Sequence, residues 1–111
     1  MPVIDATIFN ELKQMSGEDF INELIDAFLE DGTNMLNNMQ TALVAGDVES
    51  FRRNAHSLKS NANTFGATEL GEMAKELEYM ARENNLDVGD RLEKLNQAFS
   101  LATVELKEMQ A

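Results

Sequence analysis

VGDRLEKLNQAFSLATVELKEM, Val88 to Met109, places apolar residues at Val88, Leu92, Leu95, Phe99, Ala102, Leu106 and Met109. The spacing alternates four and three throughout. That is the a/d seam of a helix packed along its length against other helices. Before it, ENNLDVGD (Glu83 to Asp90) reads as a polar turn. Further upstream, Leu70, Met73, Leu77 and Met80 or Ala81 form the inward face of another helix, with Thr68 as its expected cap and Gly66 as the end of the helix before. That preceding helix carries a stripe of Phe51, Ala55, Leu58, Ala62 and Phe65. AGD, Ala45 to Asp47, closes a long helix with glycine and caps the next with aspartate. The long helix is expected to turn Phe20, Leu24, Phe28, Met35, Met39 and Leu43 to one face, with Gly32 as an exposed weak point. SGED, Ser16 to Asp19, reads as its cap. Ile4, Ile8, Leu12 and Met15 make a short first helix.

Four long amphipathic helices joined by connections of a few residues close into an antiparallel up-down-up-down bundle. The short N-terminal helix packs across one end. The expected class is all-α, a single domain over residues 1–111. The chain holds one proline, Pro2, and is rich in good helix formers.

Composition narrows the function. A net charge of −11 opposes binding to nucleic acid, which needs clustered cations, and docking on an anionic membrane. No apolar run approaches the roughly 20 residues of a membrane span, and MPVIDATIFN lacks a signal peptide's basic start and apolar stretch. There is no cysteine, hence no disulfide or thiolate metal site. The expectation is a cytoplasmic protein that meets another protein or a small ligand.

The one histidine, His56, lies in FRRNAHSLKSNANTFGA, Phe51 to Ala67. No Asp or Glu occurs between Glu49 and Glu69, while Arg52, Arg53 and Lys59 fall inside the window. At about 100° per residue, the Phe51 stripe spans about 40° to either side and His56 sits about 140° from its centre. Arg52, Lys59 and Asn63 share that flank, and Ser60 follows one turn after His56. His56 is therefore expected to face solvent in mid-helix. A neutral imidazole there is a nucleophile. Neighbouring cations disfavour its protonation and favour an incoming anion, and cleared carboxylates do not repel one. Phosphoryl transfer asks for this positioning and charge compensation.

The segment AHSLKSNANTFGATELGEMAKELE, Ala55 to Glu78, resembles the histidine-containing phosphotransfer (HPt) domain of bacterial and plant phosphorelays. FLEDGTNMLNNMQTALVAGDVESFRRNAHSLK, Phe28 to Lys59, is similar to that family's long helix, Gly-Asp turn and approach to the histidine. The resemblance implies a four-helix bundle in which His56 accepts a phosphoryl group from a receiver-domain aspartate and passes it to another. It implies that Lys59 steadies the phosphoryl oxygens and that Ser60 occupies a position kept small, usually glycine, for receiver approach. Arg52 and Asn63 are expected to join Ser60 on the docking face, and Gly66 to form a structural turn. At the Glu78 position some members carry a glutamine that hydrogen-bonds the histidine ring. A glutamate there favours the charged imidazolium. The expected partners are receiver domains of response regulators or hybrid sensor kinases. The expected cofactor set is empty, with Mg²⁺ supplied by the receiver. The chain is expected to be a monomer without kinase or phosphatase activity of its own.

Other readings fit less well. A carboxylate-bridged metal bundle needs paired Glu-x-x-His elements, whereas Arg53 stands three residues before the single histidine. A calcium sensor needs spaced ligands and a closing Glu that DVGD and GDVE lack, so no metal ligands are expected. A helical adaptor that binds a partner without phosphotransfer is the alternative.

Overall fold

Residues 3–110 are described in the computed structural model. They form five helices: α1 (Ala6–Ser16), α2 (Glu18–Ala45), α3 (Val48–Phe65), α4 (Thr68–Arg82) and α5 (Arg91–Met109). Helix α3 packs against α2 and α4, and α5 packs against α4 and α2, so the four long helices close a ring. Helix α1 lies against α2 and α3. This is the all-α bundle with an additional N-terminal helix that the periodicity predicts.

The helix ends explain why the ring closes. Gly46 and Gly66 both adopt left-handed backbone, at φ 69° and 88°, where a Cβ is unfavourable. In each turn the following amide reaches back across the helix end: Asp47 N–H donates to Ala42 O at 2.9 Å and Ala67 N–H to Ala62 O at 2.8 Å. Asp47 also accepts from Ser50 N–H at 3.1 Å, which is the aspartate cap on α3 that the AGD turn predicts. Gly66 carries a second constraint. Asp5 N–H donates to Gly66 O at 2.8 Å, and a Cβ on Gly66 would lie 2.8 Å from Asp5 O. The N-terminal segment thus docks on the α3–α4 turn, and Ile4 N–H ties it to the Glu105 carboxylate on α5 at 2.6 Å.

The core centres on Phe28, which stacks on Phe65 of α3 (centroids 4.7 Å apart) and meets Phe99 of α5 edge-on (5.9 Å). Around these rings lie Ile25, Met39, Phe51, Leu58, Leu70, Leu77, Leu95 and Leu106, all buried.

Several local expectations are overturned. Gly32 is buried, with Phe99 Cζ 2.7 Å from the place a Cβ would take, so it is a notch for that ring. The buried face of α2 is Ile21, Ile25, Phe28, Gly32, Leu36, Met39 and Ala42, whereas Phe20 is 50 % exposed. Two four-residue steps from Phe28 back to Phe20 drift about 80° around the axis, while Ile21 returns to within about 20°. In α1 the buried residue is Phe9, and Met15 is 85 % exposed. Ile4 is buried but precedes α1, which Asp5 caps by accepting from Thr7 and Ile8 amides. Ser16 ends α1 and donates to Leu12 O rather than capping α2, whose N-cap is Gly17. Thr68 is the first residue of α4, with Ala67 at the cap position. Val88 is buried in the loop before α5 begins at Arg91.

Candidate functional site

The site rises from the seam between α3 and α4. Along α4 the inward positions are Leu70, Gly71, Ala74, Leu77, Glu78 and Ala81. The small residues bring the helices close: a Cβ on Gly71 would lie 2.8 Å from Asn63 Cγ of α3. Glu78 follows Leu77 into this seam and is 2 % exposed, the one charged side chain buried among the described residues.

Three positive or ionisable groups converge on its two oxygens. Lys59 Nζ lies 2.6 Å from Oε1, and Arg82 Nη2 donates to Oε2 at 3.1 Å. His56 Nδ1 lies 2.8 Å from Oε2. Burial pushes the Glu78 carboxyl up, but the hydrogen bonds and charges of Lys59 and His56 outweigh it and hold the group below its usual range. Glu78 is thus ionised and can only accept hydrogen bonds. Its partner Nδ1 must therefore carry a proton, so in the neutral form of the ring the free lone pair is on Nε2. The His56 side chain is 56 % exposed, so that nitrogen belongs to a ring open to solvent, in mid-helix as its helical phase predicts.

Two expectations change here. The acid-free window around His56 is a property of the sequence only, since Glu78 brings a carboxylate from α4 into direct contact with the ring. Lys59 is also not a free surface cation: its side chain is 24 % exposed and already engaged by Glu78. Arg52 pairs with Glu49 on its own helix and feels the Glu78 charge at longer range. Ser60 and Asn63 are exposed along the same helix, Asn63 covering Gly71, and neither bonds to the His56 cluster. Gly66 forms the buried turn. Arg82 was missed. Its signal was present, because a residue four beyond Glu78 faces it on a helix. Among the described residues no helix is long and apolar enough to cross a membrane, and no group of three or more His, Asp or Glu side chains is placed to hold a metal ion.

This arrangement has relatives. Residues 23–109 match the sequence model of the Hpt domain. The crystal structure of histidine-containing phosphotransfer protein B (HptB) from Pseudomonas aeruginosa PAO1 superimposes with a TM-score of 0.93 at 30% identity, covering 98% of this chain and 95% of that one. The sensory/regulatory protein RpfC of Xanthomonas campestris pv. campestris is 28% identical over 80 residues, which are 71% of this chain and 11% of the relative. The same match is found in a second strain of that organism. The chain therefore corresponds to a small part of RpfC and to nearly all of HptB. A lone exposed histidine on the second long helix of a four-helix bundle, a family match over most of the chain and a near-complete structural match converge: this chain belongs to the Hpt domain family and has the fold of a phosphorelay phosphotransfer module.

Proposed function

We propose that this chain is a phosphorelay intermediate in which His56 Nε2 accepts a phosphoryl group from a receiver-domain aspartate and passes it to the aspartate of another receiver. The observation that carries the reading is the bond from Nδ1–H to a buried, acceptor-only carboxylate. It leaves Nε2 as the nucleophile, on an exposed ring beside Lys59 and Arg82. In the accepting step the aspartyl O–P bond breaks as the Nε2–P bond forms. The electron pair stays on the leaving carboxylate, and the Nδ1 proton stays on the ring. Lys59 and Arg82 offset the charge of the arriving phosphoryl oxygens, in a role that is mainly positioning and electrostatic.

Exposed Ser60 and Asn63 extend the receiver-facing surface along α3, with Arg52 at its edge. The receiver brings the Mg²⁺ and its acidic pocket. The chain itself neither makes nor hydrolyses the phosphodonor, so it is a carrier and not a kinase or phosphatase. It is proposed to work in the cytoplasm as a monomer.

The test is incubation with a radiolabelled phosphorylated receiver. Label should move to this chain, be labile in acid and stable in base, and be lost in His56→Gln, which should keep its helical circular dichroism because the ring faces water. Label persisting in that variant overturns His56 as the acceptor, and a wild type that takes none is an adaptor.

A further inference from the structure

The contact between Glu78 and the ring has a different consequence once Nε2 carries phosphorus. A neutral Nε2-phosphoimidazole has no proton on Nδ1. Its lone pair would then face the lone pairs of Glu78 Oε2 across the 2.8 Å now spanned by a hydrogen bond. A glutamine could answer by turning its amide N–H toward the ring, whereas an ionised carboxylate has nothing to donate. Moving a proton onto Glu78 would also satisfy the pair, but Lys59 at 2.6 Å and Arg82 at 3.1 Å both favour the charged carboxylate.

We infer that Glu78 is a positioning residue that keeps Nδ1 protonated in the phosphorylated state, which makes phospho-His56 a labile, fast-discharging donor and not a phosphoryl store. This rests on the reading of His56 as the phospho-acceptor. The balance follows the proton. With Nδ1 protonated, breaking the Nε2–P bond returns the electron pair to Nε2 and releases a neutral imidazole. The phosphorus joins a carboxylate oxygen of the receiver or a water oxygen, water then losing its proton to solvent. Without that proton the leaving group is an imidazolate anion, a far poorer one. The charged groups of this cluster are Glu78 of α4, which touches the ring, and Lys59 of α3 and Arg82 of α4, which bind Glu78, with Arg52 of α3 acting on Glu78 at longer range. In the phosphorylated state the nearby cations oppose a positive ring, whereas the carboxylate held 2.8 Å from Nδ1 and the phosphoryl anion on Nε2 favour one. Among the described residues α1, α2 and α5 contribute no ion pair to this cluster.

The test charges the full chain and Glu78→Gln with phosphoramidate and follows the ring by ¹⁵N NMR and the phosphohistidine by ³¹P NMR from acid to alkaline pH. His56 is the only imidazole, so its signals need no assignment. The phosphorylated ring of the wild type should titrate at least about one pH unit above free phosphohistidine, and above the same ring in Glu78→Gln. At mildly alkaline pH the variant should then lose phosphate about tenfold more slowly. Equal midpoints in two well-labelled proteins overturn the inference while leaving His56 the acceptor. Absence of label on a folded wild type overturns the acceptor reading itself. If circular dichroism shows that the Gln variant does not fold, the comparison with free phosphohistidine decides, and a midpoint at or below it overturns the inference.

Discussion

Lys59→Met removes the ammonium and keeps an unbranched apolar stem, so it isolates the charge that Glu78 meets. At 2.6 Å and an effective dielectric of about 20, the attraction between the two charges is about 6 kcal/mol before desolvation. Taking a largely covered ammonium and a buried carboxylate out of water cancels most of that. Removing one partner of a buried pair costs about 3–5 kcal/mol when the other is orphaned. Glu78 keeps Arg82 and His56, so the expected loss is smaller, about 2 kcal/mol, or roughly 8 °C in Tm for a domain of this size. In the Glu78→Gln background the same substitution should cost no more than about 0.5 kcal/mol, which leaves a coupling of about 1.5 kcal/mol. Urea denaturation of the four proteins of this cycle, followed by far-UV circular dichroism near neutral pH, measures it. Coupling below about 0.3 kcal/mol would mean that the ion pair adds nothing and that Lys59 is held by its stem alone. Transfer from a phosphorylated receiver should slow about tenfold in Lys59→Ala, equivalent to about 1.4 kcal/mol, and further in Lys59→Glu.

Other expectations are as direct. Gly32→Ala should destabilise the bundle by about 1–2 kcal/mol in thermal melts, because overpacking against Phe99 outweighs the better helix propensity of alanine, and Phe99→Leu should relieve the cost; a stabilised Gly32→Ala would refute the notch. Ser60→Phe should block transfer from a receiver and leave the melting curve unchanged, and normal rates in stopped-flow or rapid-quench assays would mean that the receiver approaches from elsewhere. Because the Glu78 carboxyl is held below its ordinary value near 4.5, its contribution to stability is fully present above that pH and is lost as pH falls through the folded-state value. The stability difference between wild type and Glu78→Gln should therefore shrink on acidification, and a difference that stays constant down to acid unfolding would contradict the ionised assignment.

What could be read from the chain depended on whether one helix sufficed. The stripe Phe51, Ala55, Leu58, Ala62 and Phe65 sets the phase of α3 alone, so the exposure of His56 followed from arithmetic on a single cylinder. The seam of α5 was legible for the same reason, and so were the turns at Gly46 and Gly66. Gly32 looked like an exposed weak point because nothing within α2 reveals that a ring from α5 fills the space above it. The drift of a four-residue spacing over a long helix hid the choice between Phe20 and Ile21. The engagement of Lys59 was hidden too, since its partner comes from α4. Glu78 drew attention through family resemblance, not through periodicity, which would count it as one more acid on an acidic chain.

The turn at Gly66 acts as a phase lock between two helices. His56 and Glu78 stand 22 residues apart, and that turn is the sole break between them. One residue inserted there and taken up into the first turn of α4 would turn Glu78 by about 100° about the α4 axis and shift it by about 1.5 Å along it. Such a rotation would carry Glu78 out of the seam and bring an outward-facing neighbour in, although every side chain of the site would still be present. The docking of Asp5 against Gly66 closes off the space such an insertion would need. The length of this connection is thus as much a part of the site as the histidine itself.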